Sequence, residues 1–98
     1  MLAEAVRRIR EQFVPAQIIL VGSRSRGTAR ADSDFDLMVI REDAGNWRTP
    51  GQILAALRDL PAAFDVQVES TAEWDKWSQF EPAFEFEVAK TGRRLLHG

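Results

Sequence analysis

The chain has 98 residues, of which 45% are hydrophobic, so it is large enough for one domain with a modest core and too apolar for global disorder. Cysteine is absent, which excludes disulfides and thiolate zinc sites, and a formal net charge of −2 argues against broad, sequence-independent binding to nucleic acid. No apolar run is long enough for a membrane span, and Met1-Leu2-Ala3-Glu4 lacks the basic and apolar regions of a signal peptide; the expectation is a single cytoplasmic domain over residues 1–98.

Leu2, Val6, Ile9 and Phe13 recur on one helical stripe with Arg7, Arg8 and Arg10 off it. That spacing predicts an amphipathic helix over residues 2–13, ended by Pro15. Residues 17–21 are a short, continuously apolar run, the type of strand buried on both faces. Gly22-Ser23 leaves that strand, and Ser23 is suited to cap a short helical turn toward Arg26, which Gly27 stops. Residues 34–40 form a second strand, with Phe35, Leu37 and Val39 on one face and Asp34 and Asp36 on the other. The polar stretch 41–51, carrying Gly45-Asn46, reads as a loop. Ile53, Leu57 and Leu60 then repeat at helical spacing over residues 52–60, with Thr49-Pro50 as a helix start.

A third strand over residues 64–69 sends Phe64, Val66 and Val68 one way and Asp65, Gln67 and Glu69 the other. Ser70-x-x-Glu73 is a capping-box pattern opening a helix with Trp74 and Trp77. Pro82 interrupts it and belongs in the first turn of a last helix, which holds Phe84 and Val88 and stops at Gly92. Phe84, Phe86 and Val88 also alternate as in a strand, and Arg94 to His97 reads as a short edge strand. Trp74, Trp77, Phe80 and Phe84 form an aromatic stripe, assigned to core packing with a partner surface as the alternative. The elements assemble into an α/β (α+β) domain, a three- to four-stranded mixed sheet with helices packed on one side.

Chemistry concentrates in the first half. A Gly-Ser turn at a helix mouth presents backbone N–H groups to an anion; Gly22 lets a phosphate come close to the main chain and Ser23 adds a hydroxyl. Asp34 and Asp36, at i and i+2 of a strand, share a face. At about 5 Å their charges repel by roughly 3 kcal/mol at an effective dielectric near 20, and a hard divalent cation, Mg²⁺ or Mn²⁺, turns that repulsion into binding. Asp65, on a strand of matching polarity, completes a three-carboxylate cluster, with Glu69 as the fallback third acid. Metals held by three carboxylates beside a phosphate cradle suit an in-line phosphoryl displacement, here nucleotidyl transfer from an NTP. Arg26 either steers phosphate or pairs with an acid such as Asp32. Gly22 to Gly27 is neither a Walker loop, lacking the following Lys-Ser/Thr, nor a Gly-x-Gly-x-x-Gly fingerprint.

Gly22-Ser23-x-x-Arg26-Gly27 followed by Ser33-Asp34-x-Asp36-Leu37 resembles the signature of the minimal nucleotidyltransferases of the DNA polymerase β-like superfamily, and Asp65-Val66-Gln67-Val68 resembles the strand that bears the family's third acid. The resemblance implies that Gly22 and Ser23 contact the phosphates of an NTP, with ATP expected. It implies that Asp34 and Asp36 bind Mg²⁺, and that Asp65 joins the metals and helps deprotonate an acceptor hydroxyl on a protein or an RNA end. Larger members carry a further helical domain for base and acceptor, so a second protein is expected to supply that surface here. Minimal members are often paired with small helical HEPN proteins as the antitoxin of a toxin–antitoxin couple, and some resemble enzymes that add AMP to the partner. The rival expectation is a non-catalytic module that neutralises its partner by occlusion.

Overall fold

The apolar stripe at positions 2, 6, 9 and 13 folds as its spacing predicts. In a computed structural model, which describes residues 1–22 and 34–97, helix α1 spans Leu2–Phe13 and buries Ala5 and Ile9 completely. Val14 closes the helix in the left-handed region, at φ 48°, directly before Pro15, which disfavours a continued α conformation. The Arg41 Nε donates to the carbonyl of Phe13 at 2.7 Å, so a cation satisfies an end-of-helix acceptor.

The chain then forms β1 (Gln17–Val21), β2 (Phe35–Arg41), α2 (Thr49–Ala56), β3 (Phe64–Ser70), α3 (Thr71–Trp77), α4 (Phe84–Thr91) and β4 (Arg93–His97). The sheet order is β3-β2-β1-β4. β1 runs antiparallel to β2 and β4, and β2 runs parallel to β3, with α2 providing the crossover that parallel strands require.

The α/β class and the four-stranded mixed sheet are as expected, but the helices lie on both faces rather than one. Ile18, Leu20, Leu37, Val39 and Val66 pack against Ala5 and Ile9 of α1, Ile53 of α2 and Leu57 just past its end. The opposite parity, Ile19, Met38 and Ile40, packs against Trp74 of α3 and Val88 of α4. The reason lies in the two central strands, which are apolar at every position from Ile18 to Leu20 and from Leu37 to Ile40. Such strands leave water only when both sides are covered.

Element boundaries differ in informative places. β2 begins at Phe35, leaving Asp34 just outside the strand. α2 starts at the expected Thr49-Pro50, shortening the stretch read as a loop, and ends at Ala56 rather than Leu60. Thr49 is buried and its hydroxyl accepts from the Asn46 N–H, fixing that start. Leu57, Arg58 and Leu60 then wind more tightly, bonding back three residues, because Pro61 denies Leu60 the α conformation. The Arg8 guanidinium donates to the Ala56 carbonyl at 3.0 Å and pairs with Asp59, tying α1 to this end.

Ser70 caps α3 by accepting from the Glu73 N–H at 3.1 Å, as the capping pattern predicts, while the Glu73 carboxylate takes the Trp77 indole N–H at 2.7 Å. Pro82 stands before the Ala83 cap of α4 instead of inside its first turn. The aromatic stripe is not uniformly core: Trp74 is 4% exposed, whereas Phe80 and Phe84 are 50% and 51% exposed. α4 passes into β4 through Gly92, where a Cβ would stand 2.5 Å from Ile19 Cγ2 and from the Val88 carbonyl oxygen. A side chain there would hold the helix off the sheet.

Candidate active site

Pairing register sets the site. Val21, the last residue of β1, is opposite Asp36 near the start of β2, and Asp36 is in turn opposite Asp65 near the start of β3. The three make one transverse row across the sheet, with neighbouring strands about 4.8 Å apart. Residue parity puts Asp36 on the same face as Met38 and Ile40, the face covered by α3 and α4.

Immediately after Val21, Gly22 turns the chain at φ +76°, and a Cβ built there would be 2.8 Å from Asp36 Oδ2. The position therefore needs glycine twice, for its backbone angle and for main chain lying directly against a carboxylate. Asp36 is half-buried and Asp65 is exposed. Burial, then the charge of Asp65, then that of Asp34 raise the Asp36 carboxyl above the usual carboxylate range. A neighbouring cation would remove that penalty.

A cavity of about 310 Å³ opens beside this row. Val21, Gly22, Leu37 and Met38 line its sheet side, and Asp36, Asp65 and Gln67 stand along its polar margin. Its other wall is α4, through Phe84, Glu87, Val88 and Thr91, the i, i+3, i+4, i+7 stripe of a single helix face. The carboxylate of Glu85 lies against Glu69 and Gly92 abuts Ile19, so α4 crosses from β3 at its start to β1 at its end.

The structure thus brings Gly22, Asp36 and Asp65 together. Asp34 sits exposed before the strand, close enough for its charge to reach Asp36. Ser23 and Arg26 lie outside the described residues. Glu69, the fallback third acid, pairs in register with Ile40, two pleats along β3 from Asp65. Its Oε1 is buried with no hydrogen-bond partner among the described residues. Burial and the adjacent Glu85 and Glu73 push its carboxyl up to about 7.

Among the described residues no three His, Asp or Glu side chains cluster closely enough to hold a metal ion. The Asp36–Asp65 pair nonetheless offers the hard oxygen donors and the excess negative charge that fit Mg²⁺ or Mn²⁺. The α4 wall was missed in the sequence; its signal was the 84, 87, 88, 91 periodicity, polar at two of four positions. Among the described residues no helix is long and apolar enough to cross a membrane.

The sequence profile of the nucleotidyltransferase domain family matches residues 2–91. Solved structures share the fold across essentially the whole chain. A mutant of the toxin–antitoxin MntA–HpeT superposes with a TM-score of 0.69 at 19% identity, covering 100% of this chain and 73% of that one. A toxin–antitoxin with AMP-PNP gives 0.65 at 20% identity, with 100% and 75% covered. A further MntA–HpeT mutant, with two Asp-to-Glu substitutions, gives 0.66 at 18% identity, with 98% and 73% covered. No curated protein matches the sequence significantly.

Proposed function

The chain belongs to the nucleotidyltransferase domain family, and from that premise we propose that it transfers AMP from ATP to a hydroxyl of a partner protein and serves as the antitoxin of a small helical HEPN-type toxin. The observation that carries the reading is the row Gly22–Asp36–Asp65, in which a glycine turn touches one carboxylate and a second carboxylate lies one strand away, all facing one cavity.

Gly22 lets a phosphate approach the main chain, and Ser23 and Arg26 follow it in sequence as further anion contacts. Asp36 and Asp65, with Asp34 beside them, are the residues that would hold Mg²⁺ or Mn²⁺. When bound, such an ion neutralises phosphate charge and acidifies a nearby hydroxyl. Asp65 is the exposed member and would take the acceptor proton. The acceptor oxygen then bonds to the α-phosphorus, the bond between that phosphorus and the bridging oxygen breaks, and pyrophosphate leaves.

Support for the antitoxin role comes from the similar solved structures, which are toxin–antitoxin proteins, one of them with the ATP analogue AMP-PNP. The test is co-expression with the protein encoded beside this chain, followed by intact-mass spectrometry. An AMP adduct on the partner, lost in Asp36→Asn, is the expected result. Full transfer by an Asp34→Asn, Asp36→Asn double variant would overturn the mechanism, and protection from the toxin by that variant without any adduct would favour simple occlusion.

A further inference from the structure

Phe84 is half-exposed at 51%, although Val88, one turn along the same face of α4, is 3% exposed. Phe84 lines the cavity from α4, and Asp65 and Gln67 line it from the sheet. Small-molecule cavities are lined mainly by apolar and aromatic side chains with a few polar groups that fix orientation, and an open ring sharing this cavity with Asp65 and Gln67 fits that composition. Its place along the cavity follows from the ends of α4. Glu85, next to Phe84, lies against Glu69 of β3, whereas Gly92, next to Thr91, abuts Ile19 of β1. Phe84 and Thr91 are separated by seven residues, about 10 Å along the helix axis. Phe84 is therefore toward the β3 side of the cavity, away from Gly22 at the end of β1, and Gln67 lines the cavity from β3, one pleat, about 7 Å, past Asp65.

We infer that Phe84 is the platform on which the nucleobase of the bound NTP stacks, and that the Gln67 amide hydrogen-bonds to the edge of that base. The inference rests on the nucleotidyl-transfer reading, in which phosphates occupy the Gly22 end. Glu87, between Phe84 and Thr91 on the same wall, repels a triphosphate laid along α4 and so keeps the phosphates at Gly22 and the uncharged base toward Phe84. A phenyl face stacks on any base and supplies affinity without identity. An amide carries both donors and an acceptor, so Gln67 is the group able to tell one base edge from another.

The experiment measures binding of ATP, GTP, inorganic tripolyphosphate and 2-aminopurine riboside triphosphate to the full chain in Mg²⁺. Phe84→Ala is expected to weaken ATP about 10- to 100-fold and to abolish quenching of the 2-aminopurine fluorescence, with tripolyphosphate affinity within twofold of wild type. Phe84→Trp should retain both binding and quenching, and Phe84→Leu, which keeps the bulk, should lose the quenching. Gln67→Leu should change the ATP-to-GTP affinity ratio about tenfold without touching tripolyphosphate. Unchanged ATP binding by Phe84→Ala overturns the inference, as does equal weakening of ATP and tripolyphosphate, which reports a structural defect. A rise confined to the KM of the protein acceptor would make Phe84 a partner contact and also overturn it. A wild-type chain that binds neither nucleotide nor tripolyphosphate would sink the transferase reading itself.

Discussion

Replacing Glu69 by glutamine should stabilise the protein above neutral pH and leave it unchanged in acid. Glu69 is half-buried, one of its oxygens is unpartnered among the described residues, and Glu85 and Glu73 press negative charge on it. Its carboxyl is pushed from 4.5 to about 7. The folded state therefore holds the proton more tightly than the unfolded chain. Its stabilising contribution is complete below about pH 4.5 and is lost as the pH rises through about 7. In a dry site a shift of that size is worth roughly 3 kcal/mol; the residue's partial exposure reduces the expectation to about 1–2 kcal/mol. Glutamine keeps the shape, carries no charge and can donate to Glu85. Urea denaturation from pH 4.5 to 8 should show wild type losing about 1–2 kcal/mol across the range relative to Glu69→Gln, equivalent to several degrees in Tm for a domain of this size. Parallel stability profiles for the two proteins would refute the reasoning, since they would mean that Glu69 titrates alike in the folded and unfolded chain.

Gly22→Ala forces a side chain into the left-handed region and against Asp36 Oδ2. Stability by thermal melting should fall by about 1–2 kcal/mol, and kcat/KM for nucleotidyl transfer should fall about 100-fold or more as the carboxylate is displaced. Gly92→Ala should cost about 1–3 kcal/mol in urea denaturation, because the new methyl meets Ile19 and the Val88 carbonyl. Val14→Gly, at a position with φ 48° and 78% exposure, should instead raise stability by about 0.5–1 kcal/mol, as left-handed strain is relieved and no buried surface is lost.

Much of the fold was legible because it is written in local periodicity. The 3.6-residue stripe of α1 and the two-residue alternation of β3 needed no tertiary information, and alternation also put Asp36 on the face opposite Phe35, Leu37 and Val39 and put Asp65 on the face opposite Phe64, Val66 and Val68. The double-faced burial of the sheet was present in Ile18-Ile19-Leu20, yet helices on a single face were expected; the run itself required the second layer. The exposure of Phe80 and Phe84 was not legible, because an aromatic at helical spacing looks the same whether the facing surface is packed or open. The α4 wall was hidden for a related reason. Its crossing direction is set by Gly92 against Ile19 and by pairing of β4 with β1, contacts between residues remote in the chain.

With Asp36 and Asp65 as the proposed catalytic pair, their register with Val21 makes enzymatic competence a proofreading signal for assembly. Asp65 reaches its neighbour only because Val66 is sunk in the α1/α2 core, which pins the parallel alignment of β3 on β2. A slip of one residue would drive a carboxylate into that core and turn Val66 out to water, erasing the acidic pair and the hydrophobic anchor in the same event. Copies with a misaligned margin are thus silent as catalysts and vulnerable to degradation together, so a population of this protein should hold fully competent molecules and inert ones, with few of intermediate activity.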